Sequence, residues 1–304
     1  MKLYAPKYYN RFVCIADKCT HSCCVGWEID IDEDTLQKYR ALSCDYAKEI
    51  LSSIDTAPTP HFRLGSGDRC PHLNENGLCK IIISAGEEYL CDICREHPRF
   101  YNFLPDRVET GLGMACEEAC RIILSSDDYG AFTVIDDVGG EALVDSFDTV
   151  RQRGEIYSLL TDESVTYQEK LCRIYEKYGV SPSRLSDDEW RDVIKSLEYL
   201  DESHEQLFLC YSSDISAPAG YEKHLERALA YFIYRHCAEG WDEDDFRARL
   251  FFCLFCERLL ASAAKAENAQ SIAHFIRLAR VVSEEIEYSE DNIDSLIFDF
   301  ECEL

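Results

Sequence analysis

No stretch of this sequence approaches the roughly 18 uninterrupted apolar residues that a bilayer span requires, and Met1-Lys2-Leu3-Tyr4-Ala5-Pro6 lacks the apolar run of a secretory signal. Both absences lead to the expectation of a cytoplasmic protein with no membrane insertion. Positive charge is scarce too: 31 Lys and Arg stand against 58 Asp and Glu, a formal net charge of −27. Nucleic-acid affinity rests on clustered cations that release counterions, so the balance argues against that partner and against an anionic membrane surface. The same field concentrates cationic ligands and lysine-rich surfaces, besides keeping the chain soluble. There is no internal repeat and no low-complexity tract. A phosphate-binding glycine loop is missing as well. Phe132-Thr133-Val134-Ile135 and the following Asp136-Asp137-Val138-Gly139-Gly140-Glu141 lack the GxGxxG order and the helix after it, so they read as a strand and turn in a hairpin or linker.

Cysteine, in contrast, is abundant, with 17 in 304 residues. Thiols stay reduced in the cytoplasm, where clustered thiolates bind metal rather than build a disulfide framework, and an odd number fits full pairing badly. Eleven (Cys14, Cys19, Cys23, Cys24, Cys44, Cys70, Cys79, Cys91, Cys94, Cys116 and Cys120) lie in the first 120 residues. The pattern opens as CxxxxCxxxCC at Cys14, Cys19, Cys23 and Cys24. It continues through Cys70, Cys79, Cys91-Asp92-Ile93-Cys94 and Cys116-Glu117-Glu118-Ala119-Cys120. Thiolates select zinc or iron–sulfur clusters, and four of them satisfy either. Neighbours on an extended chain point to opposite sides, so the Cys23-Cys24 doublet implies two adjacent centres or one structural member. For Cys44 and Cys120, burial as a small hydrophobe competes evenly with ligation. For the six later cysteines, including Cys253 and Cys256 one helical turn apart, burial is the preferred reading. His21, His72 and His97 lie among the candidate ligands, where hydrogen bonding or solvation is the competing role.

With 46% hydrophobic residues the chain can bury a real core, in one large domain or two. The reading is mainly α: a small, irregular, cysteine-rich metal-binding part over residues 1–125, packed on a C-terminal α-helical bundle over 126–304. In the first part, short apolar runs such as Ile81-Ile82-Ile83 and the loop Gly65-Ser66-Gly67-Asp68 predict only short elements. From about residue 145 the period becomes helical. Ser186 and Glu189 form a capping-box signature ahead of a face made by Trp190, Val193, Ile194, Leu197 and Leu200. Further helices are expected at about 166–178, 203–211, 221–238, 243–264, 270–287 and 291–302.

Several of these segments resemble successive motifs of the flagellin lysine N-methylase family, which belongs with the wider group of CxxCxxCC zinc- or iron-chelating domains. They are Phe12-Val13-Cys14 through Cys23-Cys24-Val25-Gly26-Trp27, Cys70-Pro71-His72-Leu73 to Gly77-Leu78-Cys79, Cys94-Arg95-Glu96-His97-Pro98-Arg99, and Gly113-Met114-Ala115-Cys116-Glu117-Glu118-Ala119. Tyr221-Glu222-Lys223-His224-Leu225 to Tyr231-Phe232-Ile233-Tyr234-Arg235 resembles the helix that follows. His97 stands where a Tyr is usual, and Glu117 where Pro is frequent. The resemblance implies a 4Fe-4S cluster, with zinc as the alternative, held by some of Cys14, Cys19, Cys23, Cys24, Cys70, Cys79, Cys94 and Cys116. It also implies methyl transfer from S-adenosylmethionine to lysine side chains of flagellin. Arg95 and Arg99 are candidates to pair with the donor's carboxylate, against a structural salt bridge. Tyr89, Phe100, Tyr101 and Phe103 are candidate pocket walls or simple core, and no catalytic base is assigned. The rival expectation is a non-catalytic zinc- or iron–sulfur-binding adaptor, sensor or electron carrier.

Overall fold

The computed structural model describes residues 1–144 and 147–303, apart from the side chains of 302 and 303. It is mainly helical, with a four-stranded sheet and a two-stranded ladder. The chain forms two compact units, Val13–Arg99 and, separately, Met1–Phe12 with Phe100–Leu304. The compositional boundary at residue 125 lies inside the larger unit, because strand β1 (Lys2–Pro6) pairs with strands that follow residue 100.

The smaller unit contains α1 (Glu33–Ala41), α2 (Ala47–Ser52), strands β2 (Ile54–Asp55) and β3 (His61–Phe62), and two single-turn helices, α3 (Lys80–Ser84) and α4 (Asp92–Glu96). Asp32 caps α1, its carboxylate accepting the Thr35 N–H at 2.9 Å, and its second oxygen accepts the Asp92 N–H at 2.9 Å where α4 begins. One residue thus fixes two helix starts. Only Thr35, Leu36 and Tyr39 of α1 are buried, facing a core of Ile29, Ile31, Ile50, Phe62, Leu73 and Ile81 in which Cys70 and Cys91 also lie. Helices of five residues do not stand alone in water, so this unit depends on its tertiary contacts.

In the larger unit, β4 (Arg99–Phe103) and β5 (Arg107–Leu112) join β1 and β6 (Phe132–Asp137) in the order β4-β5-β1-β6. β1 runs parallel to β5, with Lys2 opposite Arg107 and Tyr4 opposite Glu109, and antiparallel to β6. The strand expected near 132 therefore exists, but its partner is remote in sequence. Gly111 is required where it stands, since a Cβ there would meet Phe100 Cζ at 2.4 Å.

Beyond the sheet come α5 (Glu117–Ser125), α6 (Thr149–Leu160), α7 (Tyr167–Tyr178), α8 (Asp187–Ser196), α9 (Ser203–Phe208), α10 (Glu222–His236), α11 (Glu243–Ala266), α12 (Ile272–Val282) and α13 (Glu290–Glu303). Both α7 and α8 begin with complete capping boxes, Thr166 with Glu169 and Ser186 with Glu189. Every residue from Leu250 to Ala264 is buried, so α11 is the central helix, with α9, α10, α12 and α13 packed round it. Cys253 and Cys256 lie in this core, as the sequence suggests. Among the described residues no helix is long and apolar enough to cross a membrane.

Candidate metal centre

Between Cys70 and Cys79 the chain folds back on itself. Leu73 bridges Cys79, Asn74 N–H donates to Leu78 O at 2.9 Å, and the Asn74 side-chain oxygen accepts the N–H groups of Asn76 and Leu78, each at 2.9 Å. Gly77 supplies the positive φ, +75°, that closes this turn. Cys79 is left as the N-cap of α3, and Cys91 occupies the same position on α4. The doublet segment lies alongside, with Cys70 N–H donating to Cys24 O at 2.8 Å and Val25 bridging Arg69.

The result is a set of five cysteines whose thiols lie within electrostatic reach of one another: Cys24, Cys70, Cys79, Cys91 and Cys94. A hydrogen bond from Cys23, with Ser22 and Arg69 assisting against burial, lowers the Cys24 thiol to about 7. Burial raises Cys70 to about 11 and pushes Cys79 up. Cys91 and Cys94 share a hydrogen bond that favours the thiolate on Cys91 and the thiol on Cys94. Tyr39 borders the set, and its phenol is held neutral by burial and then by Cys91, Cys94 and Cys79. Five thiols, partly or fully buried, with the Asp32 carboxylate within electrostatic reach of Cys91, are soft donors of the kind that zinc or iron–sulfur iron takes. No three His, Cys, Asp or Glu side chains among the described residues stand in ligating geometry, so the five thiols are neighbours rather than a formed metal site.

Of the eight cysteines implied by resemblance, Cys24, Cys70, Cys79 and Cys94 are in this set. Cys14 and Cys23 are exposed, and Cys19 is half-buried with its thiol donating to His21 O at 2.7 Å. Cys116 belongs to the larger unit, as the N-cap of α5. Cys91 is the member that the family motifs pass over, although its CxxC spacing to Cys94 is plain in the sequence. His72 is committed elsewhere: Nδ1 pairs with Tyr46 OH at 2.7 Å and Nε2 with Ser53 Oγ at 2.9 Å, and burial, then Lys80, lowers it to about 4. Arg95 pairs with Asp92 and lies 3.5 Å from Glu96. Arg99 donates to Arg95 O at 3.5 Å. Tyr89 packs on the cysteine core, Phe100 packs on Tyr231 and Tyr234 in the larger unit, and Phe103 is 80% exposed.

The larger unit has its own buried polar centre, which hydrophobic periodicity gives no means of finding. α12 runs into a π-helical turn, Ser283–Glu287, that carries Glu287 inward. Its carboxylate meets His236 Nε2 at 2.6 Å, accepts from Tyr231 OH at 3.1 Å and lies 3.6 Å from Arg235. The Arg235 guanidinium is 5.1 Å from both the Phe100 and the Tyr288 rings. Burial alone would raise Glu287, but Arg235 and the His236 hydrogen bond hold its carboxyl below the usual range. Burial holds His236 low as well.

Fold and site together define a class, a largely helical protein carrying a separate thiol-rich unit. Over 137 residues the chain is 30% identical to the lysine-N-methylase of Salmonella typhimurium (strain LT2), covering 42% of this chain and 34% of that protein. It is 29% identical, with the same coverage, to the lysine-N-methylase of Salmonella choleraesuis. Over 130 residues it is 28% identical to the flagellar biosynthetic protein FliU of Salmonella muenchen, covering 40% of this chain and 77% of FliU. The matched region thus spans about a third of the length of each lysine-N-methylase. No family model matches, and no solved structure matches. The chain is thus similar, over part of its length, to proteins named lysine-N-methylase and to one named flagellar biosynthetic protein FliU.

Proposed function

We propose that this protein is a cytoplasmic protein-lysine N-methyltransferase that transfers methyl groups from S-adenosylmethionine to lysine side chains of flagellin. In this reading Cys24, Cys70, Cys79, Cys91 and Cys94 supply the ligands of a 4Fe-4S cluster or, alternatively, zinc. The single observation that carries it is the five-thiol set, in a chain related to proteins named for lysine methylation. Bound there, a cluster with an open iron would supply a Lewis-acidic anchor for the amino and carboxylate groups of the donor's methionine end.

The remaining work falls to the polypeptide. A lysine ammonium has no lone pair, and with a pKa near 10.4 its neutral form lies roughly 4 to 5 kcal/mol uphill at pH 7. The net charge of −27 draws the cationic substrate in, and proton loss then exposes the nucleophile. The amine forms its new N–C bond as the donor's S–C bond breaks, so S-adenosylhomocysteine leaves and the lost proton passes to a base or to water. Arg99 is assigned to the donor carboxylate, and Arg95, engaged with Asp92, to holding α4 in place. Arg99→Lys keeps the charge and loses the planar fork. Weaker donor binding with metal content unchanged is the expected outcome, and unchanged binding removes Arg99 from the site.

Incubation with labelled S-adenosylmethionine and flagellin, followed by peptide mapping, tests the activity directly. Label on lysine is expected; none, with the metal bound, would sink the reading. The partial coverage of the methylases favours one second reading, a non-catalytic metal-binding adaptor, sensor or electron carrier. A brown protein whose visible spectrum changes on adding S-adenosylmethionine supports the methylase, and a colourless zinc protein indifferent to it supports the adaptor.

A further inference from the structure

Far along the chain from the thiol set, the larger unit has a cleft of about 200 Å³ lined by Asp127, Tyr129, Thr161, Glu163, Lys223 and Arg227. Lys223 and Arg227 are four residues apart on α10 and so share a face of that helix. Lys223 is held from below: its Nζ donates at 3.1 Å to Glu226, a carboxylate only 2% exposed that also takes Lys170 Nζ at 2.6 Å and the Tyr129 hydroxyl. One carboxylate against two ammonium groups leaves the floor with a net positive charge in a protein that is otherwise strongly acidic. The rim has the opposite sign. Glu163 is 3.7 Å from Lys223, an ion pair too long for a hydrogen bond, and Asp127 pairs with Arg227.

We propose that this cleft binds an α-amino acid group, with its carboxylate on Lys223 and its ammonium on Glu163 and Asp127. A simple anion would meet the two rim carboxylates, and a simple cation would meet the floor; only a ligand carrying both charges a few ångströms apart satisfies both. The volume lies below the roughly 300 to 1,000 Å³ of sites for drug-sized ligands, which sets the size at one amino acid or the amino-acid end of something larger. Lys223 is positioned before the ligand arrives, because Glu226, itself held by Lys170 and Tyr129, takes its ammonium from the buried side. The assignment is independent of the methylase reading and requires no turnover to test.

Titration calorimetry on the full chain, with backbone amide shifts of residues 127–129 and 161–163 as a second readout, decides it. L-Methionine, other free amino acids and S-adenosylmethionine supply the intact zwitterion; N-acetylmethionine, methionine methyl ester and methylthioadenosine each lack part or all of it. Binding by the first group and loss by the second, at least about tenfold in affinity, is expected. Shifts of the 127–129 and 161–163 amides with S-adenosylmethionine but with no free amino acid would place the donor's methionine end here rather than on the metal and Arg99, and shifts with free amino acids alone would identify those as the ligand. Lys223→Gln and Glu163→Gln, both at half-exposed or exposed side chains, should each weaken binding about tenfold without altering the circular dichroism. No response to any zwitterion on the order of 10 mM, or equal binding of the capped analogues, overturns the proposal. Because the analogues act on unmodified protein, that outcome does not depend on any variant folding.

Discussion

Cys91 and Cys14 make the sharpest contrast at the scale of single residues. One is 1% exposed and hydrogen-bonded to Cys94, and the other is exposed outside the five-thiol set. Cys91→Ser is therefore expected to lower bound metal well below the wild-type amount after reconstitution, and Cys14→Ser to leave it unchanged, as measured by elemental analysis. Equal loss from both would mean that ligation reaches beyond the buried thiols. Glu287 gives a second test. Its carboxyl is held low in the fold, so its contribution is complete above the unfolded carboxylate value of about 4.3 and is lost as pH falls below it. His236, also held low, loses its share on acidification starting from about 6.5. Denaturant midpoints should accordingly drop between about pH 7 and 4. Glu287→Gln should leave that His236-driven slope in place, remove the further loss below about 4.3, and cost about 3 to 5 kcal/mol at neutral pH, since it leaves the buried Arg235 guanidinium without its counter-charge.

At the scale of elements, the helices were legible wherever a local signal sets them. Ser186 and Glu189 mark the start of α8, and the structure has both halves of that capping box. Ser186→Ala should cost about 1 kcal/mol, visible as a lower melting temperature, with Thr166→Ala behaving alike at α7. α6 was harder to read, because its buried face carries Thr149, Arg153 and Tyr157 beside Ile156 and Leu160, and a buried arginine interrupts the apolar stripe. Arg153 lies there because Glu109 of β5 pairs with it at 2.8 Å, a contact 44 residues away that no local window contains. The same limit hid the partner of β6. As for the candidate site, the sequence displayed every cysteine, but not which of them the turn at Asn74 and the starts of α3 and α4 would bring together. Proximity divides them, since Cys19 and Cys116 outside the set are as half-buried as Cys24, Cys79 and Cys94 within it, and proximity is a tertiary property.

The molecule as a whole carries a large excess of negative charge, and this has a kinetic signature. If the substrate is a lysine-rich protein surface, apparent affinity should fall as salt rises from roughly 0.01 to 0.15 M, over which the screening length shrinks from about 30 to about 8 Å. Initial rates at subsaturating substrate measure this, and rates indifferent to salt would reduce the acidic coat to a solubilising role.

The chain order of the sheet has a consequence for biosynthesis. β1 leaves the ribosome before the smaller unit, yet its pairing partners β5 and β6 are not complete until residues 112 and 137. The thiol-rich unit, by contrast, has all its residues once 99 has emerged. A nascent chain therefore holds an unpaired strand throughout the interval in which the cysteines first gather, and such strands pair promiscuously. The exposure ends only when β5 and β6 have emerged, so nascent chains stalled between residues 99 and 112 should aggregate more readily than chains stalled after residue 137.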